Sequence, residues 1–232
     1  MKSNSNSDLE ILYEDNHLIF INKQCGDIVQ PDPSGDPALE EEVKEYIKIK
    51  YNKPGSVFLG VAHRIDRPVS GVVMFARTSK ALARINEMFK EKTIRKTYWA
   101  IVKNKPIVES GSLREFLVRN SKQNKSYIYK KEVPNSKLAI LHYKILAASN
   151  TYYLLEIDLE TGRHHQIRAQ LSAMGCPIRG DLKYGFDRSN PDGGINLHAR
   201  SIELFHPVSK EKMVVSAQPP KDKLWEVFMN CL

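Results

Sequence analysis

An α+β fold built on a mixed, largely antiparallel central sheet with flanking helices and loops is predicted by three features of the 232-residue chain. Segments rich in β-branched and aromatic residues outnumber those with helical periodicity. They often follow one another directly, which favours antiparallel pairing over the alternating pattern of parallel sheets. The glycine signatures of dinucleotide-binding and P-loop folds are missing. Apolar residues at 41% and charged residues at 27% form an ordinary globular mixture, which excludes collagen-like and disordered classes and fits one large domain. No apolar run approaches the roughly 20 residues that cross a bilayer. The polar start, MKSNSNSDLE, lacks the apolar centre of a secretory signal, so a cytoplasmic protein away from membranes is expected.

Residues 1–10 are expected to be a disordered tail and 11–232 a single domain. Segments 11–13 and 18–22 read as a hairpin around Asp15-Asn16, followed by a Pro-, Gly- and Asp-rich loop over 29–37. Leu39, Val43 and Ile47 recur every four residues and predict a helix, with Asp36 as its N-cap and Glu40 to Glu42 in its first turn. Segments 57–61 and 72–76 read as strands, and 63–71 as the loop between them. A helix is predicted over 80–92, with Leu82, Ile85 and Phe89 as its apolar stripe and Thr78 or Ser79 as its cap. Strands follow at 97–102, 138–146 and 152–159, the last two joined through Ser149-Asn150. A glycine turn then leads into a helix over 169–174, stopped by Gly175 and Pro177. Segments 201–205 and 213–217 form a final hairpin.

Lys and Arg number 35 against 27 Asp and Glu, a formal charge of +8. Nine cations and two Glu lie between 77 and 105. A second stretch, 119–131, holds five cations, Lys122 and Lys125 among them, no acid, and Tyr127 and Tyr129. Cations among aromatics suit a phosphate backbone with unstacked bases; the plainer alternative is a solvated face. Cys25, Cys176 and Cys231 form no close pair, so neither a disulfide framework nor a zinc site is expected.

Two segments carry the chemistry. In HRIDRPVSG, residues 63–71, Asp66 is flanked by Arg64 and Arg67, and opposite charges within about 4–6 Å stabilise a carboxylate. In TGRHHQIR, residues 161–168, a helix start with free N–H groups and two arginines suits a phosphate or the Asp66 carboxylate. His164 and His165 are expected on different helix faces, and without a second ligand cluster no metal is expected.

Together these motifs resemble the RluA-type RNA pseudouridine synthases over most of the chain. HRIDRPVSG is similar to that family's HRLDRxTSG, with Asp66 at the catalytic aspartate. Lys96-Thr97-Tyr98 is similar to its KxY, TGRHHQIR to TGRxHQIR, GDLKYG at 180–185 to GDxxYG, and Leu197-His198-Ala199 to LHA. The resemblance implies the pseudouridine synthase fold and conversion of uridine to pseudouridine in structured RNA, ribosomal or transfer, by a monomer without cofactor or obligatory protein partner. It implies Asp66, Tyr98 and Arg168 as the catalytic trio. Tyr98 would stack on uracil and help remove the C5 proton, and Arg168 would orient Asp66. Arg64 would take the place vacated by the flipped nucleotide, and Arg163, His165, Gln166 and Leu197 would contact substrate. The chain is expected to be the short form, without the N-terminal S4-like RNA-binding domain of many relatives. It departs from the family pattern at Gln24, in NKQCG for NKPxG, and at Gln170, where histidine is usual. Two other classes are open: a catalytically silent RNA-binding or ribosome-assembly protein, and a metal-dependent phosphoesterase using His63, Asp66 and His198.

Overall fold

Strand β2 (Leu18–Lys23) is buried along its whole length, and its period-2 alternation divides the core in two. Ile19 and Ile21 join one apolar cluster and Leu18 and Phe20 another, so helices cover both sides of the sheet. The computed structural model describes residues 9–232. Before β2 lies β1 (Ile11–Glu14); after it come α1 (Leu39–Lys50), β3 (Gly60–Val61), β4 (Ser70–Ala76), α2 (Ser79–Lys90) and β5 (Arg95–Val102). Then follow β6 (Ser110–Asn120), β7 (Lys125–Tyr129), β8 (Lys137–Ala148), β9 (Tyr153–Leu159), α3 (Gln166–Ala173), β10 (Leu197–Phe205), β11 (Lys212–Ser216) and α4 (Lys223–Met229).

These strands form one sheet in the order β1-β2-β4-β10-β5-β9-β8-β6-β7, with β11 paired to β10 and β3 to β4. Every pairing is antiparallel except β4 with β10, as the direct succession of strands predicts. On one side, Leu39, Val43 and Ile47 of α1 and Ile167 and Leu171 of α3 pack with Val73, Phe75, Ala100 and Ile157. On the other, Ile85 of α2 packs with Leu18, Phe20, Val72 and Met74, and Trp225 and Phe228 of α4 with Trp99, Ile101 and Leu154. No helix among the described residues is long and apolar enough to cross a membrane.

Several boundaries differ from expectation for identifiable reasons. The predicted strand over 57–61 shrinks to β3 because Gly60 already pairs with Ala76, the last residue of β4, leaving 57–59 nothing to pair with. Asp36 does not cap α1; it pairs with Arg67, and the first helical N–H groups of α1 are satisfied by the carbonyls of Ile28 and Val29. Thr78 does cap α2, accepting from Ala81 N–H at 3.1 Å. That helix stops short of 92, where Lys92 turns to φ 58°. Strands β6 and β7, absent from the sequence reading, occupy the polar and basic region, and α4 is only 7 residues long. The disorder expected for Met1 to Asp8 lies outside the described residues, but Leu9, placed in the same tail, packs on the core. The Glu10 carbonyl accepts from Asn22 N–H at 2.9 Å.

Candidate active site

The motifs meet because β10 lies between β4 and β5. Ala199 of LHA pairs with Gly71 of HRIDRPVSG on one side and with Tyr98 on the other. Gly71 has φ 114°, and a Cβ there would fall 2.3 Å from the Ala199 carbonyl oxygen, so only glycine permits this approach. The loop before β4 then projects Asp66 over the sheet end toward α3.

Asp66 receives Arg168 Nη1–H at 3.1 Å on Oδ2, and His165 Nε2 lies 3.4 Å from the same oxygen. Arg168 is itself gripped by Asp181, through Nε at 2.7 Å and Nη2 at 2.9 Å, a bidentate geometry that fixes the guanidinium plane. Burial alone would lower the Arg168 pKa, but Asp181 and then Asp66 outweigh it and the net shift is upward. Tyr98 is 8% exposed, and burial, then the Asp66 charge, raise its phenol; it meets substrate protonated. Burial pushes His63 down to about 3 and His198 down to about 4. His63 Nε2 accepts Met74 N–H at 3.0 Å, and both ring nitrogens of His198 are engaged, with Ser70 Oγ at 2.9 Å and the Ala217 carbonyl at 3.1 Å. His63 shares a cavity with Asp66 but His198 does not line it, and among the described residues the three do not form the metal-holding cluster that the phosphoesterase reading requires.

A cavity of about 800 Å³ opens over Asp66. Tyr98, Arg168, Arg64, Arg163, His165, Gln166 and Leu197 all line it, whereas Lys122 and Lys125 do not. Lys125 lies over the Tyr184 ring at 5.2 Å, and Lys122 is exposed in the β6–β7 turn. Gln166 has its polar atoms committed to Thr161, the Arg163 N–H and the Ile140 carbonyl. The arginines next to Asp66 in sequence pair elsewhere, Arg64 with Gln30 and Arg67 with Asp36; the partner comes from 102 residues away. Nor does the start of α3 hold Asp66 by backbone N–H groups; side chains do. His164 and His165 precede the helix, and their rings stack at 3.8 Å instead of diverging.

Asp181, Tyr184, Lys96 and Arg119 also belong to the site or its support. The sequence placed Lys96 and Arg119 only within the two basic stretches, and Asp181 and Tyr184 only within the GDLKYG resemblance, without an individual role for any of them. Lys96 faces the cavity, is lowered by burial, and has no acidic partner among the described residues. Much of the basic stretch over 77–105 is compensated: Arg77 pairs with Glu14, Lys92 with Glu160, Arg95 with Asp158 and Lys103 with Asp187. Of the two departures, Gln170 is fully buried and donates to Glu115 at 2.7 Å. The backbone carbonyl of Gln24 accepts the buried Lys23 ammonium at 2.7 Å.

A carboxylate and a buried tyrosine share a cavity rimmed by cations, the make-up of an enzyme site suited to an anionic substrate. The family model for RNA pseudouridylate synthase matches residues 17–173. An uncharacterized RNA pseudouridine synthase of Bacillus subtilis (strain 168) is 32% identical over 93% of this chain and 70% of its own length. Ribosomal large subunit pseudouridine synthase C of Rickettsia bellii (strain RML369-C) is 34% identical over 90% of this chain and 68% of its own. The fold is shared with the human protein RNA Pseudouridylate Synthase Domain Containing 4, at TM-score 0.80 and 23% identity, covering 94% of this chain and 92% of that one. The chain belongs to the RNA pseudouridylate synthase family, as an RluA-type member. Its reaction is the isomerisation of uridine to pseudouridine in RNA, and a catalytically silent role is not favoured.

Proposed function

We propose that the substrate is structured RNA, ribosomal RNA first, and that Asp66, Tyr98 and Arg168 carry the reaction. The observation behind the roles is the grip of Arg168 on Asp66 at 3.1 Å beside Tyr98, at the floor of a cation-rimmed cavity. The reaction breaks the N1–C1′ bond, turns the uracil and joins C5 to C1′; the proton lost from C5 is balanced by one gained at N1. Asp66 acts at the sugar, as nucleophile at C1′ or base at C2′. Arg168 holds the carboxylate toward it, and Tyr98 offers its ring face to uracil. A nucleotide must leave its stack to reach Asp66, and the exposed Arg64 stands at the mouth to fill the gap. Lys90, Lys96, Arg119 and Arg163 on the cavity wall suit the phosphates. The chain works in the cytoplasm as a single catalytic domain and a monomer. The names of relatives such as the Rickettsia bellii enzyme support a ribosomal substrate.

The test is Asp66→Asn in a tritium-release assay on C5-labelled ribosomal RNA without added metal or nucleotide. Turnover is expected to fall by at least about a thousandfold with the fold intact. Near-normal turnover by the folded variant would remove Asp66 from the mechanism.

A further inference from the structure

The hydrogen bonds behind Asp66 run in one direction. Ser126 N–H donates to the Tyr184 hydroxyl at 2.8 Å, and that hydroxyl lies 3.0 Å from His165 Nδ1. A phenol has one proton to give. Its other acceptor, the Ser126 carbonyl, is 3.4 Å away, so the shorter contact directs the proton to His165 Nδ1. The opposite assignment would leave His165 Nε2 bare, its lone pair facing the Asp66 carboxylate oxygen at 3.4 Å. Both ends therefore select the neutral tautomer with its proton on Nε2. Burial, then Arg168 and His164, push His165 down to about 2, which keeps a second proton off the ring at neutral pH.

The surroundings hold this geometry firmly. His165 has φ 53°, a left-handed conformation that is costly for a β-carbon-bearing residue and persists only when its neighbours over-determine it. Here the His164 ring stacks on it at 3.8 Å, the Tyr184 ring meets it edge-on at 5.6 Å, and the Arg168 guanidinium lies 5.1 Å above Tyr184. His164 is tied in turn to Ser126 Oγ at 2.9 Å and Asn124 Oδ1 at 3.0 Å. Arg168 Nη1 and His165 Nε2 address the same Asp66 oxygen, Oδ2. Oδ1 has no partner among the described residues.

We propose that His165 and Tyr184 are positioning residues that, with Arg168, fix Asp66 through Oδ2 and leave Oδ1 as the oxygen that reacts. At 3.4 Å the His165 contact is longer than a formed hydrogen bond, and contacts of this kind tighten when substrate binds. The assignment rests on Asp66 being the reacting carboxylate. It replaces direct substrate contact as the task of His165.

Two measurements test it. In 15N-histidine-labelled protein at neutral pH without RNA, NMR should find His165 protonated at Nε2 and bare at Nδ1. In kinetics, Tyr184→Phe keeps the ring and removes the relayed proton; turnover at saturating RNA should fall about tenfold with RNA affinity unchanged. A His165 ring protonated at Nδ1 or at both nitrogens overturns the proposal. So does a folded Tyr184→Phe variant with wild-type turnover, or one that loses affinity instead. If that variant does not fold, the wild-type tautomer alone decides. The NMR result needs no turnover, so its failure is distinct from a failure of the Asp66→Asn test, which would instead sink the reaction assignment.

Discussion

Arg168 serves two carboxylates, and the consequences of losing it differ at each. Its side chain is 6% exposed and that of Asp181 is 1% exposed, so Arg168→Met leaves Asp181 as a buried charge without its bidentate partner. The variant is expected to lose about 3–5 kcal/mol of stability, read as a lower midpoint in urea unfolding, and to lose turnover more than RNA affinity. Adding Asp181→Leu should restore much of the stability and none of the turnover, because Asp66 still lacks its anchor. A double variant as active as wild type would show that Arg168 matters only as the mate of Asp181. Of this arrangement, the resemblance of TGRHHQIR and HRIDRPVSG carried Asp66 and Arg168. The local charge pattern misled, since Arg64 and Arg67 extend away from Asp66 to Gln30 and Asp36. Adjacent residues in an extended loop point apart, so neighbours in sequence are poor candidates for partners.

At the scale of elements, the β6–β7 hairpin is where composition and structure diverge most. The stretch over 119–131 reads as a basic patch, and in the fold it is the edge of the sheet, with alternating exposure along β6. Its cations have different surroundings. Arg119 lines the cavity, Lys125 lies over Tyr127 and Tyr184, and Lys130 pairs with the buried Glu115 at 3.2 Å. Arg119→Ala is therefore expected to weaken RNA binding and flatten its salt dependence by about 0.7–0.9 in slope, the value of one phosphate contact on DNA. Lys122→Ala, outside the cavity, should change the slope less. Filter binding over a salt series checks both, and equal slopes for wild type and Arg119→Ala would move the RNA path off this wall. Helices α1 and α2 were legible from period alone because each carries a narrow apolar stripe. The short α4 and the polar β6 were not, because seven residues hold too few repeats and a half-exposed strand holds too few apolar positions.

For the whole molecule, the buried histidines set a pH dependence of stability. Burial pushes His63, His165 and His198 to about 3, about 2 and about 4, below the ordinary value near 6.5. Between those values and pH 6.5 the unfolded chain binds protons that the folded chain refuses. Stability therefore rises with pH in that window and is lost as pH falls from about 6.5 toward 4. Urea unfolding at pH 7, 6 and 5 should give a falling free energy, at most about 1.4 kcal/mol per unit for each histidine. His198→Gln should show a shallower fall, and a flat profile in the wild type would contradict the buried neutral state. The sequence by itself determined the fold class, three of the four α-helices among the described residues over most of their length, and the motifs that carry Asp66, Tyr98 and Arg168. Those rest on periodicity and on local patterns that survive in one dimension. Only the tertiary structure decided that β10 lies between β4 and β5, that Arg168 is shared between Asp66 and Asp181, and that His165 turns toward Asp66. Each is a contact between segments far apart in the chain, settled by which strands pair and which buried polar groups find partners, and neither is written in local order.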